Sequence, residues 1–306
     1  MTKPAFWLGL WRLGDPRLTL ASLSSLAIGT AAAGARGPVQ IGWLVLTVVG
    51  IVAIEVAKNA SGDIADFDSG ADQAVAPADR SPFSGGRRVL VDGLLSRRQT
   101  AAISGCGYGI GIAAGVIIAI GHEPRVLAVG LLGTALAWCY GSKPLQLAYH
   151  GLGELAVALN YGPLICCGAY LVQRHRLDGA IVFLSLPIGL LVGAFLWINE
   201  FPDYPADRHA GKRNWVVRLG RPRAAAAFVL ILAAAFGCQA ALPAFGWPWA
   251  SWLGFAGLPL AAAAGRRTLS SPEDTSGIIP AQRLTLESFV LSAAATAAGL
   301  LLHPGP

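Results

Sequence analysis

The chain has 306 residues, 54% of them hydrophobic and 13% charged, with a net charge of +6 and a mean hydropathy of +0.56. This balance excludes an ordinary soluble domain, whose helices need polar faces, and predicts an all-α, polytopic membrane protein. The basic surplus reads as loop topology and phosphate affinity, so membrane lipid is an expected partner and nucleic acid is not.

Before the first apolar run, Phe6, Trp7, Leu8, Leu10 and Trp11 form a short amphipathic stretch suited to the membrane interface. Runs of about 17 to 25 apolar residues qualify as spans. Nine are read here, at 18–35, 38–57, 99–121, 124–141, 152–172, 179–199, 223–244, 247–264 and 284–302. Gly, Ala and Pro are abundant within them, which fits close helix packing in lipid.

The second span runs into Lys58-Asn59-Ala60-Ser61-Gly62-Asp63-Ile64-Ala65-Asp66-Phe67-Asp68-Ser69-Gly70-Ala71-Asp72. Three- and four-residue steps share a helix face, so Glu55, Asn59, Asp63 and Asp66 are expected along one stripe, with a helix break near Gly70. Glu55 lies one turn before Asn59 and is expected beneath the acidic cluster, facing the site or paired with Lys58. A charge at that depth is costly against lipid. The following stretch, Ser84-Gly85-Gly86-Arg87-Arg88-Val89-Leu90-Val91-Asp92-Gly93, reads as a flexible basic cover over this cluster.

The fourth span ends in the polar connector Tyr140-Gly141-Ser142-Lys143-Pro144-Leu145-Gln146-Leu147-Ala148-Tyr149-His150-Gly151-Leu152-Gly153-Glu154. The sixth span leads to the second acidic cluster, Asn199-Glu200-Phe201-Pro202-Asp203-Tyr204-Pro205-Ala206-Asp207. Asn199, Asp203 and Asp207 recur every four residues, and Pro202 and Pro205 predict a kink or restart in this helix. Lys212 and Arg213 follow closely and suit a leaving diphosphate. Hard carboxylate oxygens in two sets suit Mg²⁺, which bridges readily to phosphate. The five cysteines, Cys106, Cys139, Cys166, Cys167 and Cys238, show no metal-ligand spacing and read as packing residues.

Nine spans with an inside N-terminus put nineteen of the 23 Lys and Arg residues inside and leave Arg36, Arg125, Arg174 and Arg176 outside. Both acidic clusters then face the cytoplasm, in a plasma (inner) membrane. They follow the second and sixth spans, a spacing that predicts two four-helix halves plus one helix within a single domain of residues 1–306.

Together these stretches resemble the UbiA superfamily of intramembrane prenyltransferases, and within it most closely the MenA branch, which prenylates 1,4-dihydroxy-2-naphthoate. The branch's first motif is matched by Gly62-Asp63-Ile64-Ala65-Asp66 and Asp72, and its connector by Tyr149-His150-Gly151-Leu152-Gly153-Glu154. Its second motif is matched by Asp203, Asp207, Gly211, Lys212, Arg213 and Val217-Arg218-Leu219-Gly220. Gln146 stands where the branch usually has a lysine, with Lys143 three residues earlier, and Gly62 replaces the usual Asn while Asn59 keeps the superfamily spacing.

The resemblance implies nine helices around a central cavity and a magnesium-dependent transfer from polyprenyl diphosphate to an aromatic acceptor. It implies catalytic roles for Asp63, Asp66, Asp203, Asp207 and Lys143. Metal ligation falls to Asn59, Asp63, Asp66, Asp203 and Asp207, and binding of the metal–diphosphate unit to Asn59, Asn199, Lys212, Arg213, Tyr140 and Tyr149. The alternatives are another superfamily acceptor (4-hydroxybenzoate, a chlorin, haem or a sugar phosphate) and, from a different class, a cation-coupled transporter.

Overall fold

Lipid offers no partner to a bare peptide group, so apolar runs of this length resolve as helices that satisfy their own backbone. The computed structural model describes residues 3–84 and 86–302, and among them there is no strand. Residues 1, 2, 85 and 303–306, and with them Gly85 of the basic cover, lie outside the described residues.

The amphipathic stretch is helix α1 (Lys3–Gly14), with Trp7 and Trp11 exposed and Leu13 buried. The expected spans follow as α2 (Pro16–Gly34), α3 (Ile41–Ser69), α4 (Arg97–Gly121) and α5 (Val126–Gly141). After them come α6 (Gly153–Arg174), α7 (Gly179–His209) and α8 (Arg221–Ala241). Among the described residues, six helices are long and apolar enough to cross a membrane: α3, α4, α6, α7, the run Arg221–Phe245 that begins with α8, and α10 (Thr275–Leu302). The apolar parts of α2 and α5 are shorter. The segment read as the span 247–264 is a 3₁₀ run, Trp249–Gly257, that continues into α9 (Leu258–Ser270). Its larger rise per residue, about 2.0 Å, lengthens the segment that follows α10.

Local chemistry sets the ends. Ser96 and Gln99 form a reciprocal capping box at the start of α4, and the Asp178 side chain caps α7 by accepting from the Ile181 amide. Gly70, in the left-handed region at φ 79°, stops α3 where a break was expected. Of the kink or restart expected at the second cluster, the restart does not occur. α7 neither stops nor restarts at Pro202 or Pro205 but runs as one helix to His209. Neighbouring helices re-satisfy backbone groups that a proline frees: Arg221 Nε donates to the Phe201 carbonyl at 3.0 Å.

α7 is the core helix, buried over 72% of its apolar window, whereas α3 is buried over only 17% of its own. Phe195, Ile198 and Phe201 of α7 pack with Phe228 of α8 and Phe289 of α10. α6 and α7 touch backbone to backbone: a Cβ on Gly162 would lie 2.7 Å from the Gly189 Cα. Beside this contact α6 widens into a π turn at Asn160–Leu164, where Pro163 has no amide to give. Short turns close one end of the bundle. The longer segments 70–96, 142–152 and 210–220 gather at the other, above the ends of α3 and α7.

Candidate functional site

At that end a cavity of ≈ 540 Å³ lies between α3, α6 and α7, covered by residues from 71–88 and from the 140–149 connector. α3 contributes Asp66 to its wall, and the short helix after Gly70 contributes Asp72. From α7 come Asn199, Glu200, Asp203 and Asp207, which the helical repeat places on one face over two turns. Lys212, Asn214, Tyr140 and Tyr149 complete the polar wall. Val157, Val192, Phe195 and Leu196 make an apolar floor toward the membrane interior.

The two acidic sets meet through one cation. Lys212 Nζ lies 2.9 Å from Asp66 Oδ1 and 3.2 Å from Asp207 Oδ1. Burial alone would lower the Lys212 pKa, but Asp66 and Asp207 outweigh it and hold the ammonium charged well above the ordinary lysine range. Asn214 Nδ2 donates to Asp207 Oδ2 at 2.9 Å. The Tyr149 hydroxyl lies 2.8 Å from Ser69 Oγ and 3.3 Å from Asp66 Oδ1, and its ring centre is 5.3 Å from Lys212 Nζ. Burial, then the Asp66 charge, push the Tyr149 phenol up to about 12, so it stays protonated as a donor.

Asp63 and Asn59, both expected as metal ligands, here make hydrogen bonds to neighbouring segments, and Asn59 also lies on the cavity lining. The Asp63 carboxylate is outside the cavity lining and accepts the Val89 and Leu90 amides at 3.1 and 3.0 Å. Asn59 is fully buried, donating to the Leu13 carbonyl at 2.8 Å and accepting from Arg87 at 2.7 Å. Both residues fasten the basic cover and the α1 end to α3. Arg88 donates to the Asp72 carbonyl at 2.7 Å, and Gly86, at φ 74°, presses its α-carbon against the Asp72 carboxylate, leaving no room for a Cβ. Burial, reinforced by Asp66 and Asp63, raises the Asp72 carboxyl to about 7.

Lys143 is exposed and outside the lining, and so is Arg213, whose backbone amide donates to the Tyr149 carbonyl at 3.0 Å. Arg218 Nη2 donates to the His150 carbonyl at 2.7 Å, and Glu154 accepts from the Trp215 amide at 2.7 Å, so the connector is stitched to the segment carrying Lys212. The structure adds Asp72, Arg87, Glu200 and Tyr161 to the cavity wall. Nothing marks Tyr161 in the sequence beyond a phenol inside an apolar run.

The donor chemistry suits a hard divalent cation, although among the described residues no three acidic, His or Cys side chains are already gathered as a metal site. Besides the Asp carboxylates, Asn199 Oδ1 and Glu200 Oε2 are buried at the cavity without a hydrogen-bond partner. Oxygen ligands of this kind, some of them shared with phosphate, are what Mg²⁺ takes.

The sequence pattern of the UbiA prenyltransferase family matches residues 22–286. The chain is 30% identical over 224 residues to the 1,4-dihydroxy-2-naphthoate octaprenyltransferase of Mycobacterium tuberculosis, covering 72% of this chain and 73% of that protein. It is 27% identical over 227 residues to the Bacillus subtilis protein of the same name, covering 74% and 70%. Among solved structures, a UbiA homolog from Aeropyrum pernix K1 superposes with a TM-score of 0.71 at 21% identity, covering 90% of this chain and 96% of that one. A UbiA homolog from Archaeoglobus fulgidus bound to DMAPP and Mg²⁺ superposes at 0.66 and 15% identity, covering 95% and 96%. The chain belongs to the UbiA prenyltransferase family and is a multi-pass membrane prenyltransferase.

Proposed function

We propose that this prenyltransferase moves a polyprenyl group from polyprenyl diphosphate to an aromatic acceptor of the 1,4-dihydroxy-2-naphthoate type, with Mg²⁺, at the cytoplasmic face of the plasma membrane. One observation carries the reading: carboxylates from two distant segments, Asp66 and Asp207, converge on a single cation in one cavity. The naphthoate relatives and the neighbour bound to DMAPP and Mg²⁺ support it. The surplus of Lys and Arg at the cavity end supports the orientation.

Asp66, Asp72, Asp203 and Asp207 would hold the metal, and Asn199 and Glu200 offer further oxygens. When bound, the metal offsets charge on the diphosphate and on the departing oxygen. Lys212 and Arg87 then meet phosphate oxygens as charge-assisted donors. The floor of Val157, Val192, Phe195 and Leu196 receives prenyl carbons and keeps water from the allylic carbon as its bond to oxygen breaks. The acceptor ring attacks through carbon, and with a naphthoate acceptor carbon–carbon bond formation accompanies loss of the carboxyl group.

Purified protein incubated with labelled prenyl diphosphate and an acceptor panel, with Mg²⁺ or with EDTA, tests the reading by mass spectrometry of the product. A prenylated naphthol formed with Mg²⁺ and absent with EDTA is expected. Prenylation of a different acceptor from the panel alone would replace the acceptor, and transfer undiminished in EDTA would remove the mechanism.

A further inference from the structure

A second cavity of ≈ 150 Å³ runs along α3, α4, α5 and α6 and is mostly apolar. Lys58 and Tyr161 belong to the walls of both cavities, so the two meet at this pair. Glu55 lines the second cavity alone, and only 4% of it is exposed. It is not paired directly with Lys58. Its carboxylate accepts from Ser22 Oγ at 2.9 Å and from the Tyr161 hydroxyl at 3.0 Å, and Lys58 Nζ donates to that same Tyr161 oxygen at 3.0 Å. An ammonium and a carboxylate are thus joined through one phenol. Lys58 Nζ also stands 5.5 Å from the Tyr161 ring centre.

The depth of this chain of groups bears on its ligand. Lys58 precedes Asp66 by eight residues, about 12 Å along a helix axis. Asp66 therefore stands more than two helical turns from Lys58, and Arg87, bonded to Asn59, is the phosphate-binding cation nearest to it in the cover. Hydrocarbon laid over Lys58 would leave ammonium hydrogens without an acceptor, which is costly. Tyr161 takes one of the three ammonium hydrogens, leaving two donors for a ligand oxygen. The charged groups acting on Lys58 are Glu55 through Tyr161, Arg87 from the cover and Asp15 from the α1–α2 turn.

Resting on the prenyl-transfer reading above, we propose that Lys58 is the acceptor anchor: its ammonium binds an anionic oxygen carried by the acceptor ring, a carboxylate or a phenolate, at the junction of the two cavities. Glu55, Tyr161 and Ser22 are positioning residues. They fix the lysine by a bond at each link, so that the ring is presented to the allylic carbon from the apolar side.

Steady-state kinetics in both substrates test this, with wild type, K58M, K58R, E55Q and Y161F compared. K58M should raise the acceptor KM about tenfold or more and leave the prenyl diphosphate KM within about twofold, with K58R recovering part of the loss. E55Q and Y161F should shift the acceptor KM in the same direction by a smaller factor. Comparing 1,4-dihydroxy-2-naphthoate with 1,4-dihydroxynaphthalene separates the two oxygens. A penalty confined to the naphthoate assigns the carboxylate, and a penalty on both assigns the phenolic oxygen. A K58M effect on the diphosphate KM instead, or none on either, overturns the anchor. If K58M does not fold, an acceptor KM unchanged in both K58R and Y161F overturns it equally. Wild type that prenylates no aromatic acceptor would refute the underlying reading, and active wild type with an indifferent Lys58 would refute the anchor alone.

Discussion

At the scale of single residues, the two carboxylates three positions apart on α3 have separate tasks. Asp66 reaches Lys212 across the cavity, while Asp63 holds the Val89 and Leu90 amides. Asp66→Asn and Asp207→Asn should therefore lower kcat/KM at least about a hundredfold with little change in melting temperature, as loss of a charge at a reacting centre does. Asp63→Asn should act in the other order, lowering the melting temperature and loosening proteolytic protection of the 84–95 cover, with a smaller fall in kcat. Limited proteolysis beside steady-state kinetics distinguishes the two. Equal kinetic losses without loosening would return Asp63 to the reacting centre. The four-residue rhythm of Asn199, Asp203 and Asp207 was legible in the sequence because each step turns a helix by about 40° more than a full circle. The three-residue step from Asp63 to Asp66 falls short by about 60°, enough to aim neighbouring carboxylates at different partners. Tyr161 was not legible, since its partners Glu55 and Lys58 are about a hundred positions away in the chain.

At the scale of elements, the end of the bundle away from the cavity is clasped by a small ionic group. Glu123, in the turn between α4 and α5, accepts from Arg125 at 2.8 Å and from His175 at the end of α6 at 3.0 Å, although only 2% of it is exposed. The hydrogen bond from Arg125 is the largest influence, burial opposes it, and the carboxyl settles at about 2. Its folded pKa lies below the unfolded value near 4.3, so the stability it adds is present above about pH 4 and is lost as pH falls toward 2. Glu123→Gln should lower the melting temperature by a few degrees at pH 7. The gap from wild type should narrow on acidification below pH 4. A gap constant from pH 7 to pH 3 would mean that Glu123 acts by packing rather than charge. The elements themselves were read well because hydropathy and length determine a span. The segment at 247–264 became partly 3₁₀ through close packing on α10, where Gly257 lies against Ser288 and Ser292, a pairing that no local window contains.

At the scale of the whole molecule, α3 and α7 are each the second of four successive helices, with α10 left over, as the spacing of the acidic clusters implied. The long segments all lie at their cavity ends, the end that we propose faces the cytoplasm from its surplus of Lys and Arg. In a background with the native cysteines replaced, Ser276→Cys should react with an impermeant maleimide only in inside-out vesicles, and Leu177→Cys only in right-side-out cells. Both positions are exposed and stand at opposite ends of the bundle. The reverse labelling pattern would invert the topology.

The bridge from Lys212 to Asp66 and Asp207 makes this protein its own counterion. A metal arriving alone must compete with a tethered lysine for both carboxylates. A metal arriving with diphosphate brings the lysine a new home in the same event. Occupancy should therefore be conditional, with donor and metal admitted as one body and stray divalent ions turned away. Mg²⁺ alone should move the melting temperature of wild type little, and Mg²⁺ with diphosphate should move it strongly, by linkage to binding. Lys212→Met should remove the condition, so that Mg²⁺ alone stabilises the variant. A variant as indifferent to bare Mg²⁺ as wild type would show that the lysine is no sentry.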